Sequence, residues 1–244
     1  MYFYSGKNKL QAFIYGIENE KGLVVISPGI YSYADEYNLL ITYLVDNGWR
    51  IFSYNCTGVD GSEGESMRGL TQGVIDLDAA LKFINNNSDL KDLPVLLAGF
   101  SWGGYSVCAV LNYDHQIKAV VSFAGFNSTQ EVMEYQAVAE VGGIYHLMSP
   151  QIWAIEKQLF GDTAKLTAVD GINKSGIPVM IVQCSDDDVI PANSVSIYAH
   201  RNNITNHKAE TVYLEGEDAY GHYFKLYPKI ELYEKVNDFF DKNK

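Results

Sequence analysis

Cysteine is scarce in this 244-residue chain: the three present, Cys56, Cys108 and Cys184, are odd in number and show neither a Cys-x-x-Cys pair nor a Cys/His metal spacing. A disulfide framework and a structural zinc site are thereby set aside, and free thiols in a reducing compartment are expected. Basic residues are also in short supply, 18 Lys+Arg against 30 Asp+Glu, for a formal net charge of −12. Nucleic acid and anionic membrane surfaces repel such a chain, so neither is expected as a partner. No apolar run approaches the roughly 18 residues of a membrane span. Met1 to Lys9 lack a basic stretch followed by an apolar one, so no signal peptide is expected and the protein is read as cytoplasmic. Internal repeats, low-complexity tracts and Pro/Gly/Ser-rich linkers are missing too, which favours one domain over 1–244.

What is there is an alternation of apolar runs and helical stripes. Phe3 and Tyr4, a turn at Ser5 to Asn8, and Leu10 to Tyr15 read as an antiparallel hairpin. Leu23–Ile26, Trp49–Tyr54, Val95–Ala98, Ala119–Phe123, Val179–Cys184 and Ala209–Leu214 read as strands that are apolar on both faces. Between them, Tyr37, Leu40, Ile41 and Leu44, and then Val74, Leu77, Leu81 and Ile84, have helical spacing, and a last helix is expected from about Lys229 to Phe240. Strands buried on both sides and alternating with helices call for an α/β fold with a mostly parallel sheet. From Phe126 to Lys174 the rhythm breaks: two helices are predicted, near Gln130–Ala139 and Ser149–Leu159, but no strand. An insertion just past a strand end is expected to form a small helical cap over the site, 126–174. Its Met133, Tyr145, Met148 and Trp153, together with Tyr31, are candidate walls of a substrate pocket.

The chemistry centres on Ser101, in the run Ala98-Gly99-Phe100-Ser101-Trp102-Gly103-Gly104 between a predicted strand and a predicted helix. Glycines two positions to either side let strand and helix approach closely, which is what a nucleophile elbow requires. A serine hydroxyl needs a base within hydrogen-bond reach, and the base needs an acid to orient it. In elbow enzymes the chain order is serine, acid, histidine. That order removes His115 and His146. His200 falls in a predicted helix after Pro191 and His207 in a polar turn, which leaves His222, after the Ala209–Leu214 strand. The acid is expected in Asp186-Asp187-Asp188, after the Val179–Cys184 strand. Asp187 is preferred and Asp188 is the alternative, with Asp186 and Asp188 facing solvent or capping a helix opened by Pro191. Oxyanion donors are expected from the Trp102 N–H and from the Ile30 N–H in Ser27-Pro28-Gly29-Ile30-Tyr31, where Gly29 allows close backbone approach.

These residues resemble the α/β-hydrolase family over nearly the whole chain, most closely the short-lidded serine hydrolases grouped with monoglyceride lipases, serine aminopeptidases and feruloyl esterases. Pro28-Gly29 occupies the family's His-Gly position, and Asn55 to Gly64 looks like its Arg-Gly-x-Gly-x-Ser turn. Proline in place of histidine, and Cys56 and Thr57 where arginine is common, mean that the supports of the oxyanion loop must be rebuilt. The resemblance implies a serine hydrolase that needs no cofactor or metal and cleaves a small-molecule carboxylic ester through an acyl-enzyme. A peptidase or amidase would use the same residues, with Glu215, Glu217 and Asp218 as a possible amino-terminus site. A non-catalytic ligand-binding homologue is the third reading. A dehalogenase is disfavoured, because its nucleophile would be an aspartate.

Overall fold

The computed structural model describes residues 1–222 and 230–244. One eight-stranded sheet runs through it, in the order β1-β2-β4-β3-β5-β6-β7-β8. The strands are β1 (Tyr2–Ser5), β2 (Asn8–Tyr15), β3 (Leu23–Ser27), β4 (Arg50–Tyr54), β5 (Val95–Phe100), β6 (Ile117–Phe123), β7 (Val179–Cys184) and β8 (Ala209–Leu214). β2 pairs antiparallel with β1 and with β4, and every later pairing is parallel. The α/β expectation and its N-terminal hairpin are met. The helices are α1 (Asn38–Asp46), α2 (Gln72–Asn86), α3 (Trp102–Ala109), α4 (Thr129–Val141), α5 (Tyr145–Phe160), α6 (Ala168–Ser175) and α7 (Ile230–Asn243). Lys229, the expected start of the last helix, lies outside the described residues. None of these helices is long and apolar enough to cross a membrane.

Burial on both faces of the central strands follows from how the helices are shared out. Leu40, Ile41 and Leu44 of α1 and Val236, Phe239 and Phe240 of α7 pack with Val24, Ile26, Leu96 and Ala98 on one face. Val74, Leu77 and Leu81 of α2, Tyr105 and Cys108 of α3, and Ala168 and Ile172 of α6 pack with Val25, Leu97 and Val120 on the other. All three cysteines are buried free thiols.

Two elements depart from the sequence reading. α6 closes the segment expected as cap, yet it belongs to the sheet-covering layer: a Cβ on Gly171 would meet the Cys108 carbonyl of α3. Its start is marked by Thr167, whose hydroxyl accepts the Asp170 N–H as an N-cap. No α-helix opens at Pro191; turns lead instead to a 3₁₀ segment, Tyr198–Asn203. The backbone there is committed elsewhere. The Asn127 N–H donates to the Val195 carbonyl and the Ile197 N–H to the Gly125 carbonyl, which ties the segment to the chain leaving β6.

Where arginine was missing from the turn after β4, a buried carboxylate does the bracing. Asp76 of α2 is fully buried. It accepts hydrogen bonds from Ser5 Oγ (2.6 Å), Thr57 Oγ1 (2.9 Å), the Thr57 N–H (2.8 Å) and Gln72 Nε2 (2.8 Å). Burial pushes its carboxyl above the ordinary range, against the lowering effect of these bonds. Asp76→Ala strands those donors and is expected to cost about 2–5 kcal/mol in urea unfolding. Because the folded state binds the Asp76 proton more tightly than the unfolded chain does, the group's contribution falls as pH rises through that window. The wild-type advantage over Asp76→Ala should therefore widen on acidification from pH 7. An advantage that narrows would refute the account.

Candidate active site

At the β3–β5 pair the strand order reverses. β4 lies on one side of β3 and β5 on the other, so the loops leaving β3 and β5 diverge and open a crevice at their carboxyl ends. Both loops that the sequence singled out start there. Ser101 follows β5 directly, with φ 53° and ψ −113°. Its N–H donates to the Phe123 carbonyl (2.8 Å), and its own carbonyl accepts the Tyr105 N–H (3.0 Å). The elbow glycines are sterically obligatory: a methyl on Gly99 would strike the Gly103 carbonyl, and one on Gly103 the Ser27 carbonyl. Gly29 carries no such constraint. A Cβ there would meet Ser32 Oγ and Tyr37 Oη at 3.4 Å, an ordinary contact, so the close approach expected at Gly29 does not require glycine. Among the described residues, the non-glycine residues with positive φ are Tyr31, Arg68, Ser101 and Ala124. Tyr31 follows Ile30 in the loop after β3, and Ala124 follows β6 directly, next to the Phe123 that accepts the Ser101 N–H, so backbone strain gathers around the crevice, as it does at functional sites.

Ser101, His222 and Asp187 stand in hydrogen-bond contact. Ser101 Oγ lies 2.9 Å from His222 Nε2, and His222 Nδ1 lies 2.9 Å from Asp187 Oδ2 and 3.1 Å from Oδ1. A carboxylate can only accept, so Nδ1 carries the proton and Nε2 is left to accept the serine O–H. The Asp187 side chain is fully buried, a position that charge tolerates only with several donors. Oδ1 accepts the Val189 (3.0 Å) and Ile190 (2.8 Å) N–H groups, and Oδ2 accepts Gln183 Nε2 (3.2 Å). Gln183, buried on β7, also donates to the Ile190 carbonyl (3.0 Å) and so holds the loop and the carboxylate together. Asp188 is exposed. Asp186 is exposed, as expected, and from there accepts the Gly221 N–H (2.9 Å), which pins the residue next to His222.

The cleft above Ser101 has a volume of about 170 Å³. Ile30 and Trp102 line it, and among the described residues neither backbone N–H has an intramolecular acceptor. The Gly29 N–H, by contrast, is engaged by the Tyr37 hydroxyl (2.7 Å). Leu70, Phe126, Val132, Val189 and Ile190 supply apolar walls, with Gln136 and Ser32 as polar ones.

None of the expected pocket residues is among the described residues that line this cleft. Tyr31 and Met148 point to solvent, 67% and 57% exposed, and Tyr145 is buried outside the cleft. α4 turns Val132 and Gln136, one helical turn apart, into the cleft lining, and half-buried Met133 is not among the described lining residues. Trp153 shares the α5 face of Glu156 and Phe160, and that face packs toward Gly69 and Thr71.

A protein-family model described as "Serine aminopeptidase, S33" (Hydrolase_4) matches residues 18–169, a span that holds Ser101 and ends before Asp187 and His222. No curated protein matches the chain by sequence. Several solved structures share the fold. An esterase of Pyrococcus furiosus superposes with a TM-score of 0.73 at 16% identity, over 100% of this chain and 90% of that one. Est1E of Butyrivibrio proteoclasticus, solved with ferulic acid bound, gives 0.70 at 17% identity, over 100% and 98%. The acylaminoacyl peptidase of Pyrococcus horikoshii gives 0.72 at 16%, over 99% of this chain and 40% of that one. With the family model spanning more than half its length and the elbow, sheet order and crevice in place, the chain belongs to the serine aminopeptidase S33 family, serine hydrolases of the α/β-hydrolase superfamily.

Proposed function

We propose that the protein hydrolyses small carboxylic esters through an acyl-enzyme, with Ser101 as nucleophile, His222 as general base and Asp187 as its orienting acid. Ser101 Oγ attacks the ester carbonyl as its proton passes to His222 Nε2. The carbonyl oxygen takes up the negative charge and is met by the Ile30 and Trp102 N–H groups. Collapse of the tetrahedral intermediate expels the alcohol, which receives the proton from His222. Water, deprotonated in turn by His222, then attacks the acyl-enzyme and releases the acid and free Ser101.

One observation favours an ester over an aminopeptidase substrate. Among the described residues lining the cleft none carries a carboxylate, so a substrate ammonium would lose its hydration there without gaining a partner. Glu215, Glu217 and Asp218, the acidic group that could have read an amino terminus, are exposed and outside the cleft. The cleft, at about 170 Å³, is small against the roughly 300–1,000 Å³ of drug-sized ligand sites, which favours a short, neutral acyl group.

Chromogenic esters of graded acyl length, assayed beside aminoacyl anilides, test this reading. The expected order is short neutral acyl esters first, turnover falling as the chain lengthens, and anilides last. Anilides turned over faster than esters would sink the ester assignment and favour the peptidase chemistry that the family description names.

A further inference from the structure

We infer that Tyr37 is a positioning residue of the oxyanion loop: by accepting the Gly29 N–H, its hydroxyl sets the peptide orientation that turns the next N–H, that of Ile30, toward Ser101. The inference rests on the ester-hydrolase reading above.

In the loop after β3, the Tyr37 bond falls on the residue next to Ile30. Pro28 has no N–H to donate. Ile30 and Tyr31 are 42% and 67% exposed, so core packing does not fix them. Farther along, Ala34 is tied to the end of β4, its N–H to Asn55 Oδ1 (2.8 Å) and its carbonyl to Ser53 Oγ (3.0 Å). Between Ser27 and that anchor, the Ser32 N–H turns back to the Gly29 carbonyl (3.2 Å), and Gly29 itself is held by Tyr37 at 2.7 Å.

The Tyr37 ring is well placed to act as a reference. It is buried and stacks on Phe100, centroids 5.0 Å apart at 25°; Phe100 in turn stacks on Phe123 at 4.3 Å and 6°. Phe100 is the residue before Ser101, and the Phe123 carbonyl accepts the Ser101 N–H. One aromatic column thus relates the oxyanion loop to the nucleophile. Burial pushes the phenol well above its ordinary range, so it remains a neutral hydroxyl, and the Ser32 side chain, at the cleft wall, hydrogen-bonds it as well.

Tyr37→Phe keeps the ring and its stacking and removes the hydroxyl, and with it the acceptor for the Gly29 N–H and the contact to Ser32. The Gly29 N–H must then turn to find another partner, and the Ile30 N–H moves with the shared loop geometry. The expected result is a fall in kcat of about tenfold or more, with KM for a short ester within about twofold. Affinity for a trifluoromethyl ketone, whose serine adduct carries an oxyanion, should fall by the same factor. Tyr37→Leu, which also loses the ring, should be less stable in thermal unfolding without a further loss of kcat. An active wild type with an equally active Tyr37→Phe overturns the role of the hydroxyl alone, and so does a Leu variant far less active than Phe, which would place the effect in ring packing. A wild type inert toward every ester and unreactive to a fluorophosphonate overturns the reading of the site, and this inference with it.

Discussion

Ser101→Ala is expected to lower kcat toward short esters by about 10⁴- to 10⁶-fold and to abolish the fluorophosphonate adduct expected on the intact wild-type mass. The size follows from what is lost. Without Oγ no covalent intermediate forms, and the remaining groups can only polarise the carbonyl for direct attack by water. The fold should be little affected, because alanine at 101 keeps the Cβ and the same unfavourable φ of 53°. Ser101→Gly should be the more stable of the two inactive variants, since glycine adopts that φ without the roughly 1–3 kcal/mol of strain a side chain entails. Turnover that survives in Ser101→Ala, or an adduct that persists on it, would remove Ser101 from the mechanism.

The strands were legible because the central ones are buried on both faces and short. Val179–Cys184 has the same limits in the sequence reading and in the structure, and β3 and β5 differ only by a residue or two at their ends; Ala209–Leu214 also keeps its limits, but as the edge strand β8 it is not buried on both faces as expected, with Glu210 and Thr211 exposed. The flanking glycines between strand and helix marked Ser101, and chain order then singled out His222, because a parallel sheet puts successive strand ends along one edge and few histidines fall there. Less could be read where tertiary contacts choose between residues of the same type or the same helix. The facing of α4 is set by packing, so sequence alone could not prefer Val132 and Gln136 to Met133. Tyr37 could be read as part of the buried stripe of α1, but the use of its hydroxyl depends on a loop eight residues earlier folding back over it. Gln183 looks like a polar interruption in an apolar strand, and its purpose is visible only once Asp187 is seen to need donors. α6 was within reach: Thr167, Asp170 and Gly176 are the N-cap, first-turn acid and left-handed C-cap of a short helix, masked by the absence of a long apolar stripe.

Of the three consecutive aspartates, only one substitution should silence the base. Asp187→Asn is expected to lower kcat by about 10⁴-fold, whereas Asp188→Asn should leave it within about twofold. The donors around position 187 dictate the outcome. The Val189 and Ile190 N–H groups both point at Oδ1, so an asparagine would place its carbonyl oxygen there and its amide nitrogen where Oδ2 stood. That nitrogen would face two other donors, Gln183 Nε2 and the His222 Nδ1–H. The conflict is relieved when the imidazole carries its proton on Nε2 instead, with Nδ1 accepting from the asparagine. The ring then presents an N–H to Ser101 Oγ and can no longer take its proton, so the site keeps its shape and loses its base. Stability should change far less than rate, since asparagine still satisfies the two backbone donors. Asp188 is exposed and outside this network, which makes Asp188→Asn the matched control. Were the larger fall in kcat to come from Asp188→Asn, with Asp187→Asn near wild type, the hydrogen-bonded pair at His222 would not be the working one.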